Sequence, residues 1–287
     1  MKILLAVAEH GSITTAAQTL FVTQPTVSMQ LKAMSNEVGL DLYEVIGKRV
    51  FLTAAGEAIA QFARLMQDEI DFLDQTISAI KGHTQGRLRV ALASTAKYFV
   101  PRMLGSFYKQ YPDIDIAFEV LNRDGVVSRL KSNADDLYIM SVPPADMDLV
   151  KHRFLDNPLV IIAPADHRLA KRKKIRLQDI QSDMFVLREK GSGTRLACEA
   201  FFTKFDLRPK VRLELGSNEA IKQAVAGGLG LAIISLHALP PDPISDGLVI
   251  LPVDNFPIHS NWWIIFPKGK RLSPIATIFL EHLQRCS

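Results

Sequence analysis

Seven apolar residues, Ile59, Phe62, Met66, Ile70, Leu73, Ile77 and Ile80, follow one another at steps of 3, 4, 4, 3, 4 and 3. That spacing places them on one face of a helix, close to a 3.5-residue repeat sustained over about three heptads. Residues 53–82 hold no proline, and the flanking positions carry Gln67, Asp68, Asp71 and Gln75. An amphipathic helix lying on a core shows the same stripe. Here the helix joins two segments of different texture, which favours a helix-to-helix dimer seam.

Before the stripe, residues 1–52 read as short helices and tight turns. Ser12 caps a helix over Ile13–Leu20, because its hydroxyl accepts from an orphan N–H. Gln24-Pro25 opens a second helix, with proline in the first turn where a missing N–H costs nothing. Gly39 stops that helix after Val38. Residues 42–46 and 50–52 then read as a hairpin with Gly47-Lys48-Arg49 at its tip. Ala16 and Ala17 allow the two helices to approach closely, a helix-turn-helix. Thr23, Gln24, Pro25, Thr26, Ser28 and Lys32 fall near the exposed start of the second helix. Gln can bond adenine bidentately, Ser and Thr take bases or phosphates, and Lys neutralises phosphate. Val27, Leu31 and Met34 should be core. Lys48 and Arg49 would reach the DNA backbone or minor groove as a wing. A small helical subdomain without DNA contact has the same pattern.

Charge does not decide between these readings. The net charge of +4 suggests a nucleic-acid partner, but residues 1–52 balance four basic against four acidic side chains. Residues 53–82 net −3, and residues 83–287 carry the whole surplus, +7. A DNA-binding role must therefore rest on motif.

Beyond residue 82, short β-branched runs alternate with helical stretches: 88–93, 114–120, 137–141, 159–163, 184–187, 229–235 and 262–266 against 97–111, 124–131, 193–205, 218–226 and 273–285. Such alternation implies parallel sheets covered by helices; periodicity leaves open whether there is one sheet or two lobes. The length of 287 residues fits about two domains. With 48% hydrophobic and 22% charged residues, a disordered or disulfide-built chain is excluded. Two cysteines, Cys198 and Cys286, suit a reduced intracellular protein. No apolar run reaches the ~18 residues of a membrane span, and no leader pattern is present, so a cytoplasmic location is expected.

Three helix starts could hold an anion: Ser94-Thr95, Gly191-Ser192-Gly193-Thr194-Arg195 and Ser217-Asn218. Backbone N–H groups at a helix start, with Arg195 beside them, favour a carboxylate or phosphate. Taken singly, each reads first as an ordinary N-cap. Enzyme signatures are lacking: no Gly-x-Ser-x-Gly, no His-Glu-x-x-His, no phosphate loop, and no metal-ligand spacing among the seven histidines. No metal, cofactor or enzymatic activity is expected.

Ala8-Glu9-His10-Gly11-Ser12, Ala16-Ala17, Thr23–Ser28, Gly39–Tyr43 and Leu52–Gly56, five elements in order, resemble the N-terminal signature of LysR-type transcriptional regulators, and the resemblance runs over essentially the whole chain. It implies an α/β protein with an N-terminal winged helix-turn-helix (1–52), a dimerising linker helix (53–82) and an effector domain (83–287). That domain would comprise two Rossmann-like lobes similar to periplasmic binding proteins, 86–162 plus 267–287 and 163–266. Ser94, Thr95, Ser192, Thr194, Arg195 and Asn218 would face the cleft between them. Segments 155–160, 188–195 and 214–222 resemble most the Calvin-cycle regulators of CbbR/RbcR type. A phosphorylated sugar or acid is then the expected effector, activation the expected output, and duplex DNA, a homodimer or homotetramer and RNA polymerase the expected partners. The family carries several residues ahead of the segment matching Met1–Leu4, so the first helix is expected to be short by a turn. The competing reading is a periplasmic-type ligand-binding protein whose N-terminal part serves only in oligomerisation; shifting of upstream DNA separates the two.

Overall fold

The computed structural model describes residues 1–47, 49–81 and 84–286. They form two compact units, Met1–Ile77 with Ser132–Ala134, and Ser78–Lys131 with Asp135–Ser287.

In the first unit, α1 (Lys2–His10), α2 (Ile13–Thr19) and α3 (Gln24–Val38) pack around Leu4, Val7, Ala16, Ala17, Val27 and Leu31. Ala16 and Ala17 are buried, as close helix approach requires. Ser12 caps α2 by accepting from the Thr15 amide, and Gly39 ends α3 in the left-handed region at φ 72°. The hairpin β1 (Tyr43–Ile46) and β2 (Arg49–Leu52) follows, tied to the α1–α2 turn by the Val50 amide donating to the Gly11 carbonyl. Thr53 starts α4 (Ala54–Ile80): its hydroxyl accepts from the Gly56 amide and donates to the Asp41 carbonyl. Gly56 is needed there, because a Cβ would lie 1.9 Å from the Leu42 carbonyl oxygen.

The second unit opens with β3 (Gly86–Ala93), a 3-10 turn at Ser94–Tyr98, α5 (Val100–Gln110), β4 (Ile114–Leu121), α6 (Arg123–Lys131) and β5 (Leu137–Met140). The stretch 97–111 expected as one helix is thus divided at Phe99, where Pro101 sits in the first turn of α5. β6 (Leu149–Asp156) and β7 (Leu159–Pro164) come next, then β8 (Met184–Arg188), α7 (Gly193–Lys204), β9 (Lys210–Leu215) and α8 (Asn218–Ala226). The chain ends with β10 (Ala232–Ser235), β11 (Leu248–Leu251), β12 (Asn261–Pro267) and α9 (Pro274–Arg285).

One lobe is a five-stranded sheet in the order β4-β3-β5-β12-β6, built on a core of Leu88, Val90, Phe107, Tyr138, Ile264 and Phe279. The other joins β10-β7-β11 to the pair β8-β9 through a parallel bridge between Phe185 and Leu231. On β7, Leu159, Ile161 and Ala163 serve one core and Val160 and Ile162 another, so both faces are covered and the strand reads as an unbroken apolar run.

Three expectations need correction. Pairing is mixed rather than parallel: β3 runs parallel to β4 and β5, but β12 lies antiparallel to β5 and β6, and β7 antiparallel to β10 and β11. β7 is the strand on which the chain first enters the second lobe, and β12 the one on which it returns to the first. The lobe boundaries at 162/163 and 266/267 are likewise displaced. β7 bonds only to strands of the second lobe, and β12 only to strands of the first. The crossings therefore fall at Asn157-Pro158 and around 258–260. Finally, β6, β9 and β11 had no strand assignment. β6 and β9 are sheet edges with polar residues interleaved, and β9 is exposed at five of its six positions.

Candidate functional site

On α3, Thr23 is the N-cap: its hydroxyl accepts from the Thr26 amide and lies 2.8 Å from the Thr26 hydroxyl. Capping thus occupies part of both threonines. Gln24, Pro25 and Lys32 are exposed, while Thr26 and Ser28 are half-buried. Val27 and Leu31 are fully buried and Met34 packs against the core, so the α3 stripe has the expected orientation. Met29, exposed to 66%, lies between Pro25 and Lys32 on the free face and was not singled out from sequence; its apolar side chain gave no polar signal. Arg49 is exposed at the start of β2. Lys48 lies outside the described residues.

Along α4, Phe62, Met66, Ile70, Leu73, Ile77 and Ile80 are between 41% and 81% exposed, whereas Ile59 packs partly on the core of the first unit. A row of large apolar side chains in solvent is far from the surface of an ordinary monomer.

In the second unit, the lobes are nearly closed on a polar cleft with only about 10 Å³ of free space, lined by Ser94, Thr95, Asn122, Arg123, Ser141, Arg188, Ser192, Thr194 and Trp262. Its walls come from the carboxyl ends of β3, β4, β5 and β8, from the helical turns that follow β3, β4 and β8, and from Trp262 on β12; the carboxyl ends of strands are the usual ligand position in α/β sheets. Arg188, 3% exposed, crosses the lobes: Nη2 donates to the Ser94 hydroxyl at 3.2 Å and Nη1 to Asn218 Oδ1 at 3.0 Å. Asn218 in turn donates through Nδ2 to the Thr95 hydroxyl at 3.0 Å. Farther along the same edge, Lys97 pairs with Glu219 at 3.1 Å and the Tyr98 hydroxyl donates to Glu219. Burial, followed by that bond to Glu219, holds the Tyr98 phenol well above its ordinary pKa. Opposite, the Asp124 amide donates to the Gly191 carbonyl.

The hydroxyls of this cleft are oriented by what they accept. Ser94 accepts from Arg188, Thr95 from Asn218, and Ser192 from the Arg195 amide as the N-cap of α7. Each still has its proton to donate to a ligand, along with a second lone pair. Arg123 adds a second guanidinium, with Nε donating to the Val142 carbonyl and Nη1 paired with Asp124. No carboxylate belongs to the lining, although Glu189 and Asp124 neutralise part of the charge from outside it.

Of the six residues expected here, Ser94, Thr95, Ser192 and Thr194 line the cleft, and Asn218 stands directly behind it. Arg195 does not belong. Its Nε donates to Glu199 at 2.6 Å, and Nη1 donates to Glu214 and to the Arg188 carbonyl, each at 2.9 Å. Burial favours loss of its proton, but the bonds to Glu214 and Glu199 outweigh that and raise its pKa. The helix periodicity that aims Ser192 and Thr194 at the cleft turns Arg195 inward. Arg188, Asn122, Arg123, Ser141 and Trp262 line the cleft without having been expected there. For Arg188 the signal existed: it ends the apolar run 184–187, at the carboxyl end of a strand.

Among the described residues, no group of three or more His, Cys, Asp or Glu could hold a metal ion, and no helix is long and apolar enough to cross a membrane.

Residues 1–57 match the family described as "Bacterial regulatory helix-turn-helix protein, lysR family", and residues 81–287 match "LysR substrate binding domain". The chain is 45% identical to the "HTH-type transcriptional activator CmpR" of Synechocystis sp., over 98% of this chain and 93% of that one. It is 43% identical to a "RuBisCO operon transcriptional regulator" of Acidithiobacillus ferrooxidans, over 99% and 92%. The CcmR regulatory domain of Synechocystis PCC6803, solved in complex with 2-PG, is 48% identical with a TM-score of 0.68, covering 70% of this chain and 97% of that domain. With a helix-turn-helix whose recognition helix is free, a two-lobed domain closing on a small polar cleft, and relatives this similar over nearly their whole length, the chain belongs to the LysR family of bacterial transcriptional regulators.

Proposed function

We propose that this chain activates genes of carbon fixation in response to a small phosphorylated acid. The observation that carries the reading is the lining of the interlobe cleft: two guanidiniums, hydroxyls that can still donate their protons, and no carboxylate among them. Such a surface suits an anion with several acceptor oxygens. Similarity to a regulatory domain solved with 2-PG, and to regulators named for the RuBisCO operon, narrows the candidate to a compact acid such as 2-phosphoglycolate. Arg123 and Arg188 meet its charge, with Ser94, Thr95, Ser192 and Thr194 as neutral donors and Asn218 holding Arg188 in place.

Gln24, Pro25, Thr26, Ser28 and Lys32 face the major groove, Thr23 fixes the start of the helix, and Lys48 and Arg49 contact the backbone. The α4 stripe pairs two chains, and two such dimers form a tetramer. Ligand binding shifts the lobes toward the state that it binds more tightly, which changes how the DNA is bent and the access of RNA polymerase to it.

Mobility shift and footprinting of the full-length protein on the DNA upstream of its own gene test this, with and without 2-phosphoglycolate. A specific complex whose footprint changes with ligand is expected. Gln24→Ala should relax base preference by about 1–3 kcal/mol at one position, and Arg49→Ala should flatten the salt dependence on all sequences. A protein that forms no specific complex, or whose complex is indifferent to every phosphorylated acid, refutes the reading.

A further inference from the structure

Among the described residues, one buried side-chain nitrogen or oxygen lacks a hydrogen-bond partner: Nε1 of Trp262. The indole is 1% exposed and lines the interlobe cleft together with Arg123 and Arg188. Indole nitrogen can only donate, and native proteins pair nearly all buried donors, so an orphan calls for a reason. Packing accounts for the volume of the ring but not for its N–H, since apolar contacts make no use of a donor. The local backbone also departs from regular pairing at this residue. Trp262 pairs with Leu155 and Trp263 with Arg153, so the ladder skips Phe154. The extra residue, Phe154, belongs to β6, so that strand bends opposite Trp262, and bulges concentrate beside functional sites. Phe99 packs against the ring from another side, tilted 63° at 5.3 Å.

We propose that Trp262 is a specificity-determining residue of the cleft, its indole N–H reserved for an acceptor oxygen of the effector. The inference rests on the effector reading above and sharpens its ligand class. The group placed against Trp262 must be an acceptor, such as a carboxylate or phosphate oxygen. An ammonium there would set donor against donor and add a cation beside two guanidiniums. The cleft therefore takes phosphorylated acids and rejects phosphorylated amines of the same size.

The test is calorimetry on the full-length chain with 2-phosphoglycolate, phosphoethanolamine and inorganic phosphate as probes. The parent should bind 2-phosphoglycolate at least about tenfold more tightly than phosphoethanolamine. Trp262→Phe, which keeps a ring and removes the donor, should raise the 2-phosphoglycolate dissociation constant about tenfold. Trp263→Phe should bind as the parent does. With two tryptophans in the chain, Trp263→Phe also leaves Trp262 as the sole indole. Its N–H proton resonance should move when 2-phosphoglycolate saturates the site, a readout that survives even if Trp262→Phe fails to fold. Equal binding by Trp262→Phe, an unmoved indole resonance, or equal affinity for phosphoethanolamine overturns the inference while leaving the effector reading intact. If the parent binds none of the probes, the effector reading fails and this inference fails with it.

Discussion

Replacing Arg195 by methionine separates the role expected from sequence from the role its geometry supports. Methionine retains most of the apolar stem and removes the guanidinium. Three bonds are lost: to Glu199 at 2.6 Å, to Glu214 at 2.9 Å and to the Arg188 carbonyl at 2.9 Å. The two carboxylates are 48% and 41% exposed, so they rehydrate on release. Each ion pair is then worth no more than about 0.5–1 kcal/mol. The Arg188 carbonyl belongs to a buried residue and loses a charged donor, at about 1–2 kcal/mol. Together the loss is about 2–4 kcal/mol of stability in the second lobe. With a urea dependence of about 2–3 kcal/mol per molar, the unfolding midpoint should fall by about 0.7–2 M. Affinity for 2-phosphoglycolate should change less than about twofold, because the guanidinium is absent from the cleft lining. Urea unfolding followed by circular dichroism, with calorimetry on the same samples, measures both. An unchanged midpoint with a tenfold loss of ligand affinity would show that Arg195 meets the ligand, and the assignment to Arg188 and Arg123 would be wrong.

Ile70→Glu places a carboxylate in the middle of the exposed α4 stripe and should convert the protein to monomers in sedimentation, with weak binding to a two-half-site operator; an unaltered assembly removes α4 as the seam. Burial pushes the Cys198 thiol up to about 12, while Cys286 is exposed. Near neutral pH a thiol reagent should modify one cysteine per native chain and two after denaturation; rapid modification of both in the native protein contradicts the buried, protonated thiol.

Much of this molecule was legible in its residues because the information was local. Ser12 and Gly39 mark helix ends through capping, and the 59–80 stripe declares a long helix by its period. Ala16, Val27 and Leu31 are core because helical spacing places them on one face. These features depend on neighbours within a few positions. The strands that escaped notice, β6 and β9, are edges whose alternation is set by a sheet on one side and solvent on the other. The point at which the chain changes lobes was misplaced by a few residues, since hydrogen-bond partners and not local sequence decide to which sheet β7 and β12 belong.

The cleft shows the same division. Two of the helix starts could be read directly, since Ser192 and Ser217 follow from capping chemistry whether or not a ligand is near. The choice among arginines could not be read in that way. Arg195 sits beside the glycines that open α7, yet its helical position turns it toward Glu199 and Glu214. Arg188 lies seven residues earlier and reaches the cleft because folding brings Ser94 and Asn218, 94 and 30 residues away, to its guanidinium. Sequence by itself determined the helix ends and the seam-like stripe, products of local capping and periodicity, and marked the family through its resemblance over five ordered motifs. Only the tertiary structure decided which cation faces the cleft and that Trp262 keeps a buried donor unpaired there, because both depend on contacts between segments far apart in the chain.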